Sequence, residues 1–331
     1  GALPTELSRN CVSQYHTTSS IFALNMRFID LRVMLYLMLA ALLWAGNAVV
    51  GRLLVGEISP LLLSTVRCLV AIAVLLPFGV SILKANSALW ANKKRFLLLG
   101  LFGVGGYNML LYLAIQTSTP INVTLIGASM PIWMLLIGAL FFGNRPNGYQ
   151  VIGALISILG VCVVLSRGDW LALLQVQFVY GDLLMVLATI LWAFYSWMLT
   201  KPGSSSERSW SWNAFLLAQV LFGLIWSSAF TVVEWQGGYM HFEPSILVCI
   251  LILYVAIGPS LIAYRCWGLG VAKAGPTVAA FFANFIPLFT AILSTLILGE
   301  SPQGFHGLAF LLIVIGIGLS ATLKPKERIS N

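Results

Sequence analysis

The sequence predicts an all-α membrane protein of ten transmembrane helices, built as two inverted five-helix repeats. Three observations predict it. The composition is 60% hydrophobic and 8% charged, against roughly 25% charged in soluble domains, so water cannot solvate the exterior and lipid must be the outer solvent. Ten apolar runs of about 20 residues are each long enough to cross a hydrocarbon core of roughly 30 Å. Finally, Pro120, Pro131, Gly143, Pro146, Gly148 and Gly160 recur 156 positions later as Pro276, Pro287, Gly299, Pro302, Gly304 and Gly316. Six helix-punctuating residues at one offset mark a duplication. Five spans separate equivalent points, and an odd number turns the second copy over relative to the first.

The elements follow in order. Residues 1–32 form a polar N-terminal tail; 1–25 lack the sustained apolar region and small-residue cleavage site of a secretory signal, and Met26 followed by Arg27 reads as a start of translation. The first repeat, 33–166, holds spans at 33–54, 60–83, 96–117, 120–142 and 149–166. A linker, 167–179, leads into the second repeat, 180–323, with spans at 180–200, 211–233, 245–270, 276–298 and 305–323. Residues 324–331 are a C-terminal tail. Runs this long without two-residue alternation are helices rather than barrel strands, because backbone groups in lipid must be paired internally. The short connections leave no room for an inserted soluble domain.

Placing the N-terminus in the cytoplasm puts Lys84, Lys93, Lys94, Arg95, Arg145, Lys201, Arg208, Lys273 and both tails' basic residues inside, and leaves Arg52 and Arg167 outside. This positive-inside asymmetry predicts a multi-pass protein of a bacterial cytoplasmic membrane with both termini cytoplasmic. The net charge of +8 then meets an anionic leaflet and gives no reason to expect nucleic-acid binding. The five cysteines, Cys11, Cys68, Cys162, Cys249 and Cys266, lack paired spacing and read as buried small apolar residues. His16, His241 and His306 share no metal-site spacing, so neither metal nor cofactor is expected. With no phosphate loop, nucleophile elbow or carboxylate pair in the apolar core, an enzyme is not expected.

Motifs at defined places carry a family resemblance. The first helix contains Leu43-Trp44-Ala45-Gly46-Asn47, the second begins at Pro60 and contains Arg67, Gly153 and Gly160 lie seven apart in the fifth, and the ninth closes with Leu298-Gly299-Glu300. With the duplicated five-helix unit, the chain over about 33–323 resembles the EamA branch of the drug/metabolite transporter superfamily. Asn144 stands where the first half would match Glu300, and Ala309 where the tenth helix would carry its first glycine. The resemblance implies a central cavity lined by helices one, three, four, six, eight and nine, and small-metabolite or amino-acid efflux.

The residues themselves nominate a binding site. Trp44 and Asn47, and Trp192 and Tyr195, are spaced i, i+3, which puts each pair on one helical face. In the fourth and ninth helices Asn122, Ser129 and Trp133, and Thr277, Phe281 and Asn284, share one face, and Pro131 and Pro287 follow the polar midpoints. Each proline removes an amide donor and frees a carbonyl near the bilayer centre. Ser129, Trp133 and Asn284 then either face substrate or hydrogen-bond between helices, with Pro131 and Pro287 as gating or structural kinks. Tyr107 and Asn108 in the third helix complete the set, since an amide at this depth must face protein or water.

Two arginines enter the spans. Arg67, close enough to a helix end to snorkel, is expected to be structural; Arg265, beside Tyr264, is a candidate for substrate contact or structure. No carboxylate lies deep enough to pair with either, which disfavours proton-driven cation export. An aromatic cavity with amides and hydroxyls suits amino acids or related zwitterions instead, moved by alternating access. An organic-anion or nucleotide-sugar exchanger depending on Arg265, and a non-transporting membrane scaffold or sensor, are the alternatives. Gly153 and Ser157 can pack helices within one chain or between two; a monomer is expected and a dimer stays open. The partners are a small-molecule substrate and the lipid bilayer.

Overall fold

A computed structural model describes residues 30–118, 123, 126–166, 168–174, 179–201, 203–298 and 304–321. Ten helical rods account for nearly all of them: α1 Leu31–Leu53, α2 Pro60–Leu83, α3 Lys93–Thr117, α4 Met130–Phe141, α5 Gly148–Leu165, α6 Tyr180–Leu199, α7 Trp212–Gln236, α8 Ile246–Ala274, α9 Pro276–Ala283 with Phe285–Leu298, and α10 Gly304–Ala321. Seven have the length and apolarity to cross a membrane, and three shorter apolar helices lie at α4, α5 and α10. Leu69, Leu140, Leu155, Leu183, Ile250 and Leu311 are among the many large side chains left exposed on the outside. A water-soluble protein would not tolerate so extended an apolar exterior.

The packing obeys the two-fold relation that the repeat predicts. Exchanging each helix for its counterpart five rods on, α2 packs on α7 and α5 on α10, each pair mapping onto itself; α1 packs on α8 as α6 packs on α3. The α5–α10 seam is a small-residue contact within the chain. A Cβ at Gly153 would lie 2.7 Å from the Gly316 carbonyl oxygen, and one at Gly316 2.6 Å from the Gly153 oxygen. The α2–α7 seam is polar, with Ser64 to Ser227 at 3.3 Å and Thr65 to Thr231 at 2.8 Å.

Four expected spans are not regular helices. In α3 the stretch Gly100–Gly105 is π-helical, and so is Gly258–Ile262 in α8, at the corresponding place in the second repeat. Pro259 explains the second: it has no N–H to give to the Val255 carbonyl four residues back, and the Ser260 hydroxyl takes that carbonyl instead at 2.8 Å. The ninth span is broken at Asn284, and the helix that resumes at Phe285 carries Pro287 as its third residue. Its counterpart α4 starts at Met130 after a turn at Ala128 and Ser129, so the proline interrupts each copy at one place. Asn122, Gly299 and Glu300 lie outside the described residues, as do the polar tails up to residue 29 and from 322. Cys68 and Cys266 are buried as expected, but Cys249 is exposed on the outer face of α8.

The two ends of the bundle are closed differently. At one end the α1–α2 and α7–α8 loops pair through an antiparallel bridge between Ile58 and Phe242. At the other, Arg95 at the start of α3 grips Glu207 in the α6–α7 loop, Nη2 to Oε1 at 3.0 Å.

Candidate functional site

At the two-fold centre, rings from α1, α3, α6 and α8 converge. Trp44 and Trp192 meet edge to face with centroids 5.2 Å apart, and Trp192 also contacts Tyr107 at 4.8 Å, Tyr195 at 5.0 Å, Tyr264 at 5.6 Å and Trp267 at 5.6 Å. Gly103 makes the approach possible, since the Tyr195 ring lies where a Cβ would be. Such edge-to-face and tilted contacts each add about 0.5–1.5 kcal/mol beyond burial.

The irregular turns supply the acceptors that hold these rings. Trp44 Nε1 donates to the Pro259 carbonyl at 3.2 Å, and Tyr264 Oη donates to the Gly103 carbonyl. Asn108 Nδ2 donates to the Val104 carbonyl at 2.6 Å. All three carbonyls belong to the π-helical stretches, where i to i−4 bonding is interrupted. Local backbone irregularity is thereby turned into side-chain positions.

Against this wall lies a polar group. Arg67 Nη1 donates to Asn108 Oδ1 at 3.0 Å and to Tyr112 Oη at 3.1 Å, and Asn108 Nδ2 lies 3.4 Å from Tyr264 Oη. Arg67 is 3% exposed, so it does not snorkel to the helix end as its position allowed. The helix face, invisible in a single arginine's sequence position, turns it inward. Tyr264 belongs to both groups and joins them.

The structure therefore brings together Trp44, Tyr107, Asn108, Trp192, Tyr195, Tyr264 and Arg67. Other candidates sit elsewhere. Asn47 is buried on α1 with Oδ1 unpaired. Ser129 accepts from Trp133 Nε1 at 3.0 Å, and no ring contact ties Trp133 to the cluster among the described residues. Asn284 is buried and donates from Nδ2 to Ser157 Oγ of α5 at 2.8 Å, the interhelical alternative for this residue. Pro131 and Pro287 stand at the two helix interruptions, not among the rings. Arg265 is exposed, turned about 100° around α8 from buried Tyr264. The exchanger reading relied on that arginine. Trp267 is the member sequence reasoning missed, though its i, i+3 spacing from Tyr264 repeats that of Trp192 and Tyr195.

A ten-helix bundle with inverted halves meeting at an aromatic and polar centre defines a membrane transporter. The chain belongs to the EamA-like transporter family, whose model matches residues 31–166 and 179–322. It is 25% identical over 289 residues to an uncharacterized transporter of Archaeoglobus fulgidus, covering 86% of this chain and 96% of that one. It is 24% identical over 294 residues to the aromatic amino acid exporter YddG of Ancylobacter novellus, covering 86% and 95%, and 23% identical over 213 residues to a probable amino-acid metabolite efflux pump of Escherichia coli, covering 62% and 69%. A crystal structure of a protein 21% identical superposes with a TM-score of 0.66 over 87% of this chain and 95% of its own, which supports the fold.

Proposed function

We propose that the protein exports a small zwitterionic metabolite, amino acids foremost, across a bacterial cytoplasmic membrane with both its termini inside. The observation that carries this reading is the cluster centred on Trp192, joined through Tyr264 to the amide and guanidinium of Asn108 and Arg67. Rings bind apolar or aromatic side chains by area and stacking, and the polar group suits a charged main-chain end. The printed names of the relatives from Ancylobacter and Escherichia support the substrate class. Because residues from both repeats build the cluster, rocking of the halves about it exposes it alternately to the two sides.

The test is efflux of labelled amino acids from proteoliposomes carrying purified protein. Trp192→Ala removes the ring at the centre of five contacts and is expected to lower flux at least about tenfold, as hot-spot aromatic truncations do. Unchanged flux in a folded Trp192→Ala protein, or no amino-acid flux in the wild type, sinks the reading.

A further inference from the structure

Arg67 is a buried cation without a counter-ion among the described residues. Among the described residues no carboxylate oxygen lies within 4.0 Å of it, and the one such ion pair elsewhere is that of Arg95 with Glu207. The buried carboxylates are engaged at helix ends: Glu234 accepts from Ser59, Leu61 and Leu62, and Asp182 from Ser118 and Val179. A guanidinium presents five N–H donors, yet both hydrogen bonds of Arg67 to described residues leave from Nη1. Its Nε and Nη2 have no acceptor among the described residues. Desolvating a charge costs several kcal/mol unless an opposite charge or a full set of hydrogen bonds offsets it.

Two further observations point the same way. Beside the guanidinium is a void of about 10 Å³, bounded by Cys68, Ala71, Val104, Ser260 and Tyr264 as well as Arg67, space for one water-sized group. In the ring cluster, Trp192 Nε1 and Tyr195 Oη are buried donors without a partner among the described residues. Unsatisfied buried donors at native sites call for an explanation. Here a cation with donors to spare and two unpaired neutral donors flank Tyr264 among the described residues.

We propose that Arg67 is the carboxylate-binding residue of the transport site, receiving the substrate's anionic end while Trp44, Trp192 and Trp267 receive its apolar end. The inference rests on the transport reading above and narrows it: a free carboxylate becomes a requirement, and decarboxylated amines and carboxamides become poor substrates. The void fits one carboxylate oxygen only, so the rings must part for the whole group to enter. Asn108 and Tyr112 act as positioning residues, holding Nη1 so that the other nitrogens face the ligand.

The experiment is counterflow of labelled L-phenylalanine, L-leucine and L-threonine in wild-type proteoliposomes, competed by the acids, their carboxamides and their decarboxylated amines. The acids are expected to compete at least about tenfold better, the equivalent of one charge-assisted hydrogen bond. Arg67→Lys is expected to keep that preference in part and Arg67→Gln to lose it, with fold checked by monodispersity. If no labelled amino acid moves, the transport reading and this inference fall together. If amino acids move but amides compete as well as acids in the wild type, the Arg67 assignment alone falls, whether or not either variant folds. Retained acid preference in a folded Arg67→Gln protein overturns it equally.

Discussion

The two ends of the bundle are related by the repeat but sealed by different forces. Where α1–α2 meets α7–α8, the seal is largely main chain: Ser59 N donates to the His241 carbonyl at 3.0 Å and Glu243 N to the Glu57 carbonyl at 2.7 Å. Glu234 reinforces it by accepting from Ser59 Oγ, Leu61 N and Leu62 N, so one carboxylate caps the otherwise orphaned start of α2. Where α2–α3 meets α6–α7, the seal is side chain: Arg95 on Glu207, Asn92 Nδ2 on Ser204 Oγ at 3.1 Å, and Arg95 Nη2 on the Met198 carbonyl at 3.0 Å. Inverted copies therefore share a closure geometry without sharing the chemistry that secures it. In the orientation proposed here, the main-chain seal faces out and the ionic one faces in.

The strongest way to break the comparison is to lock one end. In a protein stripped of its native cysteines, Ile58→Cys with Phe242→Cys joins residues opposed in an antiparallel bridge, a separation a disulfide can span. Oxidation is expected to stop amino-acid flux and reduction to restore it; flux that survives full cross-linking would mean this end does not open in the cycle.

Next come the two carboxylates. Arg95→Met leaves Glu207 buried without its cation and is expected to cost about 3 kcal/mol, read as the larger drop in apparent melting temperature in detergent. Glu234→Ala removes three hydrogen bonds from the cap of α2 and is expected to cost about 2 kcal/mol. The reverse order would show the main-chain end to be the weaker partner of its carboxylate. The smallest effect is expected at the polar seam, where Thr231→Val removes a hydroxyl shared between Thr65 and the Leu61 carbonyl for about 0.6 kcal/mol. A much larger loss there would make α2–α7 a keystone rather than a sliding contact.

Much of the architecture was legible in the chain. Apolar runs bounded by Pro and Gly located the rods, and the offset between Pro131 and Pro287 placed the two interruptions in equivalent helices. Helical spacing paired Trp192 with Tyr195 and Trp44 with Asn47, and the convergence of α1 and α6 then set Trp44 against Trp192. What stayed hidden depends on the rotation of one helix against its neighbours. Arg67 and Arg265 look alike in sequence, each flanked by apolar residues, but α2 turns one towards Asn108 and α8 turns the other outwards. Nor does the sequence show that α5 brings Ser157 within 2.8 Å of Asn284 Nδ2. The π-helical stretches were hidden because nothing in Gly100–Gly105 specifies i to i−5 bonding without α7 behind it.

Those stretches also bear on how such a chain can change over generations. Each holds one residue more than a regular helix would need for the same advance, so deleting a single residue from Gly100–Gly105 or Gly258–Ile262 heals the helix instead of breaking it. Because the bulge already absorbs that residue, the helix beyond it keeps its advance and its facing. A one-codon loss would leave a membrane-competent helix with Tyr107 and Asn108, or Tyr264, still facing the centre, but would return to helix bonding the Gly103 and Val104 carbonyls, or that of Pro259, which hold Tyr264, Asn108 and Trp44. In this scaffold the grip on the rings changes by one deletion without moving the helices that carry them.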